Sequence, residues 1–308
     1  MSGLAILCSG QGEQRPDMLD RYAGDPRADA LLAHCRPSLP QAARDWLERP
    51  DAAGLFTDAV AQPLLCLAQM LAMAVLGEDL PEPSLFAGYS LGELASYGAA
   101  GVFAPETLLG LAGKRAACMD AAATVPSGLS AVLGLPEKAV AGLCAAHGGH
   151  VAIVDGPEHV IVGAALADLP GLEQGLAQAG ATRLVRLRVP LASHTPLLAG
   201  ASRCFGAVLD TLAFRLPGAA ILSGVTASPV WNPAEAKKAL ADQLERTVRF
   251  GDAIEAAVAR GCGVFLELGP GASLSHMVLE RHPEAQARSL DDFKDPRRAV
   301  DWLRRVMV

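Results

Sequence analysis

No C-x-x-C pair occurs in this 308-residue chain. Its seven cysteines (Cys8, Cys35, Cys66, Cys118, Cys144, Cys204 and Cys262) are scattered and odd in number. That usage offers no disulfide framework and no zinc cage, and it reads as reduced thiols in a cytoplasmic protein. Metal-ligand spacing is lacking as well, so no bound metal or redox cofactor is expected. Basic excess is also missing: 26 Lys and Arg stand against 33 Asp and Glu, a net charge of -7. A nucleic-acid phosphate binder would need a basic face, so that class is excluded. No basic segment and no signal-length apolar stretch precede Leu4-Ala5-Ile6-Leu7, so no secretory leader is expected. The longest apolar run, Leu64 to Leu76, is short for a bilayer and is interrupted by Gln69; it reads as a buried helix, and no membrane partner is expected. Repeats and low-complexity linkers are absent too.

What is present suits a compact α/β protein. Hydrophobic residues make up 51% and charged residues 19%, enough apolar material for one large domain or a domain carrying an insert. Leu4 to Cys8 reads as a buried strand running into the Gly-rich turn Ser9 to Gln14. Helical patterns cover Asp29 to Glu48 and Gln62 to Gly77. A short strand, Ser84 to Gly88, turns at Ser90 into a helix over Gly92 to Ala100. Pro105 opens another helix that runs to Ala122.

From Ser127 to Val189 the pattern changes. Strands at 129–135, 150–154, 159–162 and 182–189 alternate with helices at 136–147 and 167–179. The order βαββαβ is that of a ferredoxin-like unit. It lies between parts of the larger pattern, so residues 126–190 are read as an inserted subdomain and residues 1–125 with 191–308 as the large α/β domain. Beyond it, Ala220 to Ser223 reads as a strand, Ala234 to Thr247 and Gly251 to Ala259 as helices, and Val264 to Leu268 as a strand ending in Gly269-Pro270-Gly271.

Gly88-Tyr89-Ser90-Leu91-Gly92 matches G-x-S-x-G. Glycines two residues either side let the chain turn sharply from strand to helix and leave the serine hydroxyl exposed. The following helix N-terminus offers free N–H groups to an oxyanion. On the pattern alone an ordinary turn serine serves equally well; the apolar strand before and the helix after favour a nucleophile. A serine needs a base. His34, His147, His150, His159 and His282 sit in polar or turn-like settings, and His276 follows a Gly-rich turn. His194, in Pro190 to Pro196, lies where the chain re-enters the large domain, a reasonable place for a catalytic base. Spacing alone does not select it.

Six blocks occur in one order: Gly10-Gln11-Gly12-Glu13-Gln14; Gly88 to Glu93; Lys114-Arg115; Ser193-His194; Gln243-Leu244 ahead of Val248-Arg249-Phe250; and Glu267 to Gly271. Over Leu4 to Met277 the set resembles the malonyl-CoA:acyl carrier protein transacylases and the acyltransferase domains of fatty acid and polyketide synthases. Their elbow usually carries His before the serine, where this chain has Tyr89. With that variant, Phe56 to Met70 and Ala87 to Gly98 are similar to the epsilon subunit of malonate decarboxylase.

The resemblance implies an α/β-hydrolase-like large domain with a parallel sheet and a ferredoxin-like insert. It implies Ser90 as nucleophile, His194 as base, and the backbone carbonyl of Gln243 as orienter of the imidazole. The main-chain N–H groups of Gln11 and Leu91 would form the oxyanion hole, and Arg115 would grip the free carboxylate of a malonyl group. A guanidinium matches a carboxylate with two parallel hydrogen bonds, whereas an acetyl group offers it nothing. Malonyl-CoA would be the substrate and a phosphopantetheine-type thiol on an acyl carrier protein the acceptor, with other malonate decarboxylase subunits as further partners. The Arg-rich segments Arg183 to Arg188 and Arg297 to Arg305 are candidates for docking an acidic carrier. Ser193 stands where synthase domains selective for malonyl often carry Phe, which leaves room for an α-methyl group. Other readings are general fatty acid or polyketide transacylation, a serine thioesterase or hydrolase, and a non-catalytic carrier-docking subunit. Against the hydrolase stand the missing H-G-G-G loop and the lack of an acid between Ser90 and a late histidine.

Overall fold

The computed structural model describes residues 2–187, 189 and 191–307. Its strands are β1 (Gly3–Cys8), β2 (Leu85–Gly88), β3 (Ser127–Leu133), β4 (His150–Gly156), β5 (His159–Ala165), β6 (Arg183–Arg186), β7 (Ala220–Leu222), β8 (Pro229–Val230), β9 (Cys262–Glu267) and β10 (Gln286–Ser289). Its helices are α1 (Pro26–Cys35), α2 (Gln41–Glu48), α3 (Asp58–Leu76), α4 (Leu91–Ala99), α5 (Pro105–Ala122), α6 (Glu137–Ala146), α7 (Leu169–Gln178), α8 (Ala199–Asp210), α9 (Pro233–Asp242), α10 (Phe250–Ala259), α11 (Ser273–Arg281) and α12 (Arg298–Val306).

One sheet has six strands in the order β10-β9-β1-β2-β7-β8. The pairs from β10 through β7 are parallel, and only the edge strand β8 runs antiparallel. Leu4 to Cys8 and Leu85 to Gly88 are buried along their whole length, as strands covered on both faces must be. That explains why β1 and β2 read as unbroken apolar runs. Alternate residues of β1 serve the two faces: Leu4, Ile6 and Cys8 join the apolar cluster with α3, α4 and α5, while Ala5 and Leu7 join the one with α10.

The second sheet has four antiparallel strands in the order β4-β5-β3-β6. This is the ferredoxin-like βαββαβ unit with α6 and α7. Val132, Val160 and Val162 pack on these helices. Leu129, Ala131, Ile153 and Ile161 turn instead toward the large sheet's cluster. Backbone bonds from Val154 N to Val248 O and from Val248 N to Ala152 O (2.8 and 2.9 Å) sew β4 to the segment before α10.

Three expectations need correction. The pattern over Asp29 to Glu48 is two helices, α1 and α2, not one. Pro37 and Pro40 fall between them and cannot donate to a helical ladder. The apolar helix begins at Asp58, before the expected start, and Asp58–Asp79 is long and apolar enough to cross a membrane; 83% of that apolar window is buried inside the protein. Finally, Cys118 and Cys204 are joined in a disulfide. They lie 86 residues apart in sequence, but packing of α5 on α8 brings their Cα atoms within 5.7 Å. The other five cysteines are free and buried.

Candidate active site

Ser90 sits between β2 and α4 with φ 54° and ψ -112°, a left-handed conformation that costs energy in any residue but glycine. The flanking glycines make the turn possible. A Cβ on Gly88 would lie 1.9 Å from the carbonyl carbon of Gly92, and one on Gly92 would lie 1.9 Å from the carbonyl oxygen of Cys8. No side chain fits at either position, so the elbow packs directly on the end of β1.

The Ser90 hydroxyl lies 2.8 Å from His194 Nε2. His194 is itself in the left-handed region, at φ 63°. Its Nδ1 lies 2.6 Å from the carbonyl oxygen of Gln243. A carbonyl can only accept, so Nδ1 carries the proton and Nε2 is left bare to accept from Ser90. Burial pushes the imidazole down to about 4, opposed by the Gln243 bond and reinforced by the nearby Arg115 charge. At neutral pH the ring is therefore the uncharged form that a base requires.

Leu91 opens α4, where the N–H has no acceptor within the helix. The main-chain N–H of Gln11 donates to no described residue, and its side chain is anchored to Asp58 Oδ1 at 2.7 Å. Gly10, Gln11 and Ser90 border a common cleft of about 500 Å³. Its far wall comes from the four-stranded sheet: Leu129, Ala131, Ile153, Ile161 and Val185. Ser193 and His194 border it from the chain leaving that sheet.

Arg115 is 1% exposed. Its guanidinium donates to Gln62 Oε1 (2.9 Å), Met119 Sδ (3.3 Å) and Gln243 Oε1 (3.1 Å). Every one of those acceptors is neutral, and no carboxylate lies within ion-pair distance among the described residues. Burial lowers the group to about 10, opposed by Asp58, Cys66 and Glu93 at longer range, so the charge persists at neutral pH. A buried cation with neutral partners is costly until an anion joins it. Met119, on the next turn of α5, borders the cleft.

Sequence reasoning passed over several members of this site. Gln62 and Gln69 are fully buried in the largely apolar α3, and a polar residue in such a helix was the available signal. Glu93 is also fully buried, and burial pushes its carboxyl up to about 7. Asp155, on β4, accepts from the Tyr89 hydroxyl at 3.2 Å. Burial pushes it up to about 7 as well, while the Tyr89 bond and Arg281 act the other way. His159, read as incidental, borders the cleft with Nε2 3.8 Å from Asp155. Nothing in the linear spacing linked residue 89 to residue 155.

The Arg-rich segments divide. Arg186 borders the cleft and pairs with Glu173 at 2.7 Å, whereas Arg188 lies outside the described residues. Arg297 and Arg304 pair with Asp295 and Asp79, away from the cleft.

Comparison with known proteins bears on this geometry. A family model described as "Acyl transferase domain" matches residues 6–295. The chain belongs to the acyl transferase family. A malonyl CoA-acyl carrier protein transacylase of Mycobacterium bovis is 32% identical over 95% of this chain and 97% of its own length. The spectinabilin polyketide synthase system protein NorB of Streptomyces orinoci is 31% identical over 89% of this chain, which spans only 13% of that protein. A crystal structure of an acyl-carrier-protein S-malonyltransferase from Burkholderia pseudomallei aligns with a TM-score of 0.91 at 25% identity, covering 97% of this chain and 99% of the other. In this acyltransferase the α/β sheet and the antiparallel sheet are therefore those of its family.

Proposed function

We propose that this acyltransferase moves a malonyl group from malonyl-CoA to Ser90 and then to the phosphopantetheine-type thiol of an acyl carrier protein, in the cytoplasm. The observation that carries the reading is a charged, buried Arg115 without an anion, joined through Gln243 to the Ser90–His194 pair. An acid terminus on the acyl group supplies what the guanidinium lacks. Gln62, Met119 and Gln243 take up only part of its five N–H donors.

In the first half-reaction Ser90 gives its proton to His194 Nε2 as its oxygen attacks the thioester carbonyl. The oxyanion lies against the N–H groups of Gln11 and Leu91. Collapse breaks the carbon–sulfur bond, and His194 returns the proton to the departing CoA thiol. In the second half the carrier thiol yields its proton to His194 and attacks the malonyl-serine ester. Ser90 then leaves with that proton. No step calls on a metal or bound cofactor; coenzyme A enters as part of the substrate.

As to the acceptor, we infer the carrier subunit of a malonate decarboxylase, with this chain as its epsilon component and other decarboxylase subunits as neighbours. Tyr89 in place of the usual elbow histidine supports this, because the residue is engaged by its own partner, Asp155. A general fatty acid or polyketide carrier accords equally well with the relatives. Steady-state transfer from malonyl-CoA to each carrier in parallel decides. Preference for the decarboxylase carrier supports the assignment, and equal or better use of a general carrier refutes it.

A further inference from the structure

Glu93 closes the G-x-S-x-G-E block and lies fully buried on the first turn of α4. Its Oε2 accepts from Gln243 Nε2 at 2.5 Å and from Gly224 N at 3.0 Å, while its Oε1 has no partner among the described residues. Gly224 is bare for this contact: a Cβ there would stand 2.7 Å from Oε2. Both ends of the Gln243 carboxamide and its main-chain carbonyl serve the site. Nε2 also donates to the Ser90 carbonyl at 2.9 Å, Oε1 accepts from Arg115 at 3.1 Å, and the backbone carbonyl holds His194.

A carboxamide has two orientations of nearly identical shape. Only one works here. Reversed, the NH2 would face the Arg115 guanidinium, donor against donor, and the oxygen would face the Ser90 carbonyl and Glu93, acceptor against acceptor. The Glu93 oxygen that faces Gln243 is an acceptor, already taking the Gly224 N–H, so its place beside Gln243 selects the working orientation.

We propose that Glu93 is a positioning residue for acyl transfer: by fixing the orientation of the Gln243 carboxamide, it holds the Arg115 guanidinium and the Ser90 main chain in register. The inference rests on the reading that Ser90 and Arg115 handle a malonyl group. It gives the site an acidic member that acts at one remove, through an amide rather than directly on the imidazole.

The test is a double-mutant cycle on the acylation half-reaction, with malonyl-CoA and acetyl-CoA as donors and thermal unfolding as the check on folding. Glu93→Leu should lower kcat/KM for malonyl by roughly 30-fold or more, the range of a lost interaction within a coupled polar network. It should also narrow the preference for malonyl over acetyl. Glu93→Gln, which keeps an acceptor oxygen, should restore most of both. In the Gln243→Leu background, Glu93→Leu should add almost nothing, because the residue acts only through the amide. Additive losses, or equal losses on both donors, would overturn the proposal. Should Glu93→Leu not fold, the cycle is run with Glu93→Asp, whose shorter side chain withdraws the acceptor, and the same outcomes decide. A wild-type enzyme without malonyl preference would sink the substrate reading itself, whereas a preference untouched by the variants sinks only this inference.

Discussion

The two walls of the cleft are built differently. Behind Ser90 and His194, which border the cleft on one side, runs a chain of buried polar groups, from Gln62 through Arg115, Gln243 and Glu93. The wall from the four-stranded sheet is apolar, with Leu129, Ala131, Ile153 and Ile161 facing the first. Its one buried charge-bearing group beside the elbow, Asp155, points the contact back at Tyr89. On the proposed reading, the contrast teaches that the reacting groups and the anion grip belong to one connected set of buried hydrogen bonds, and the other wall gives shape. A hydrogen-bonded network tolerates no missing member, whereas an apolar face tolerates modest change in volume.

The comparison breaks most sharply at the nucleophile. Ser90→Ala should cut transfer by roughly 10⁴-fold or more, as loss of a covalent nucleophile does, when release of coenzyme A is measured with saturating carrier. Substantial residual turnover would move the chemistry away from the elbow. Next, Arg115→Ala should reduce kcat/KM for malonyl by roughly 100-fold more than for acetyl, because a buried substrate carboxylate would be left unpaired. Arg115→Lys should restore only part of that, since an ammonium lacks the planar fork. Parallel losses on the two donors would contradict the polar wall's role.

The facing wall should answer in stability rather than chemistry. Ile161, 6% exposed on β5, should cost about 2–4 kcal/mol when changed to Ala, measured by urea unfolding, with malonyl preference retained. Tyr89→Phe joins the two walls' fates. It removes the donor from a buried carboxyl and should cost about 1–3 kcal/mol, again without changing acyl preference. A changed preference in either variant would show that the apolar wall selects substrate.

The smallest effect concerns pH. His194 is held down to about 4, so it stays neutral from neutrality down toward that value and gains its proton only as pH falls through it. Acylation in a Glu93→Gln background, where the neighbouring carboxyl that titrates near 7 is removed, should show no break at the ordinary histidine value of about 6.5. A break there would mean a solvated imidazole.

Much of this was readable before any coordinates. The unbroken apolar strands, the proline-opened α5 and the βαββαβ order all arise from local patterning. Ser90 stood out because the elbow has a local signature, whereas His194 was singled out only by the resemblance carried by the six ordered blocks. The second tier was hidden for a physical reason. Gln62, Glu93 and Asp155 matter through partners 53, 150 and 66 residues away, and pairing at that range leaves no periodicity. The Cys118–Cys204 bond was missed likewise, since only helix packing brings those sulfurs together. A one-helix reading of residues 29–48 failed because two prolines were not weighed against the apolar period.

The most direct measurement is peptide mapping by mass spectrometry after brief mixing with equal concentrations of malonyl-CoA and acetyl-CoA, without carrier. A malonyl adduct confined to the peptide bearing Ser90, shifting toward acetyl in Arg115→Ala, is the predicted result. An adduct on another residue, or an acyl partition indifferent to Arg115, would contradict the account.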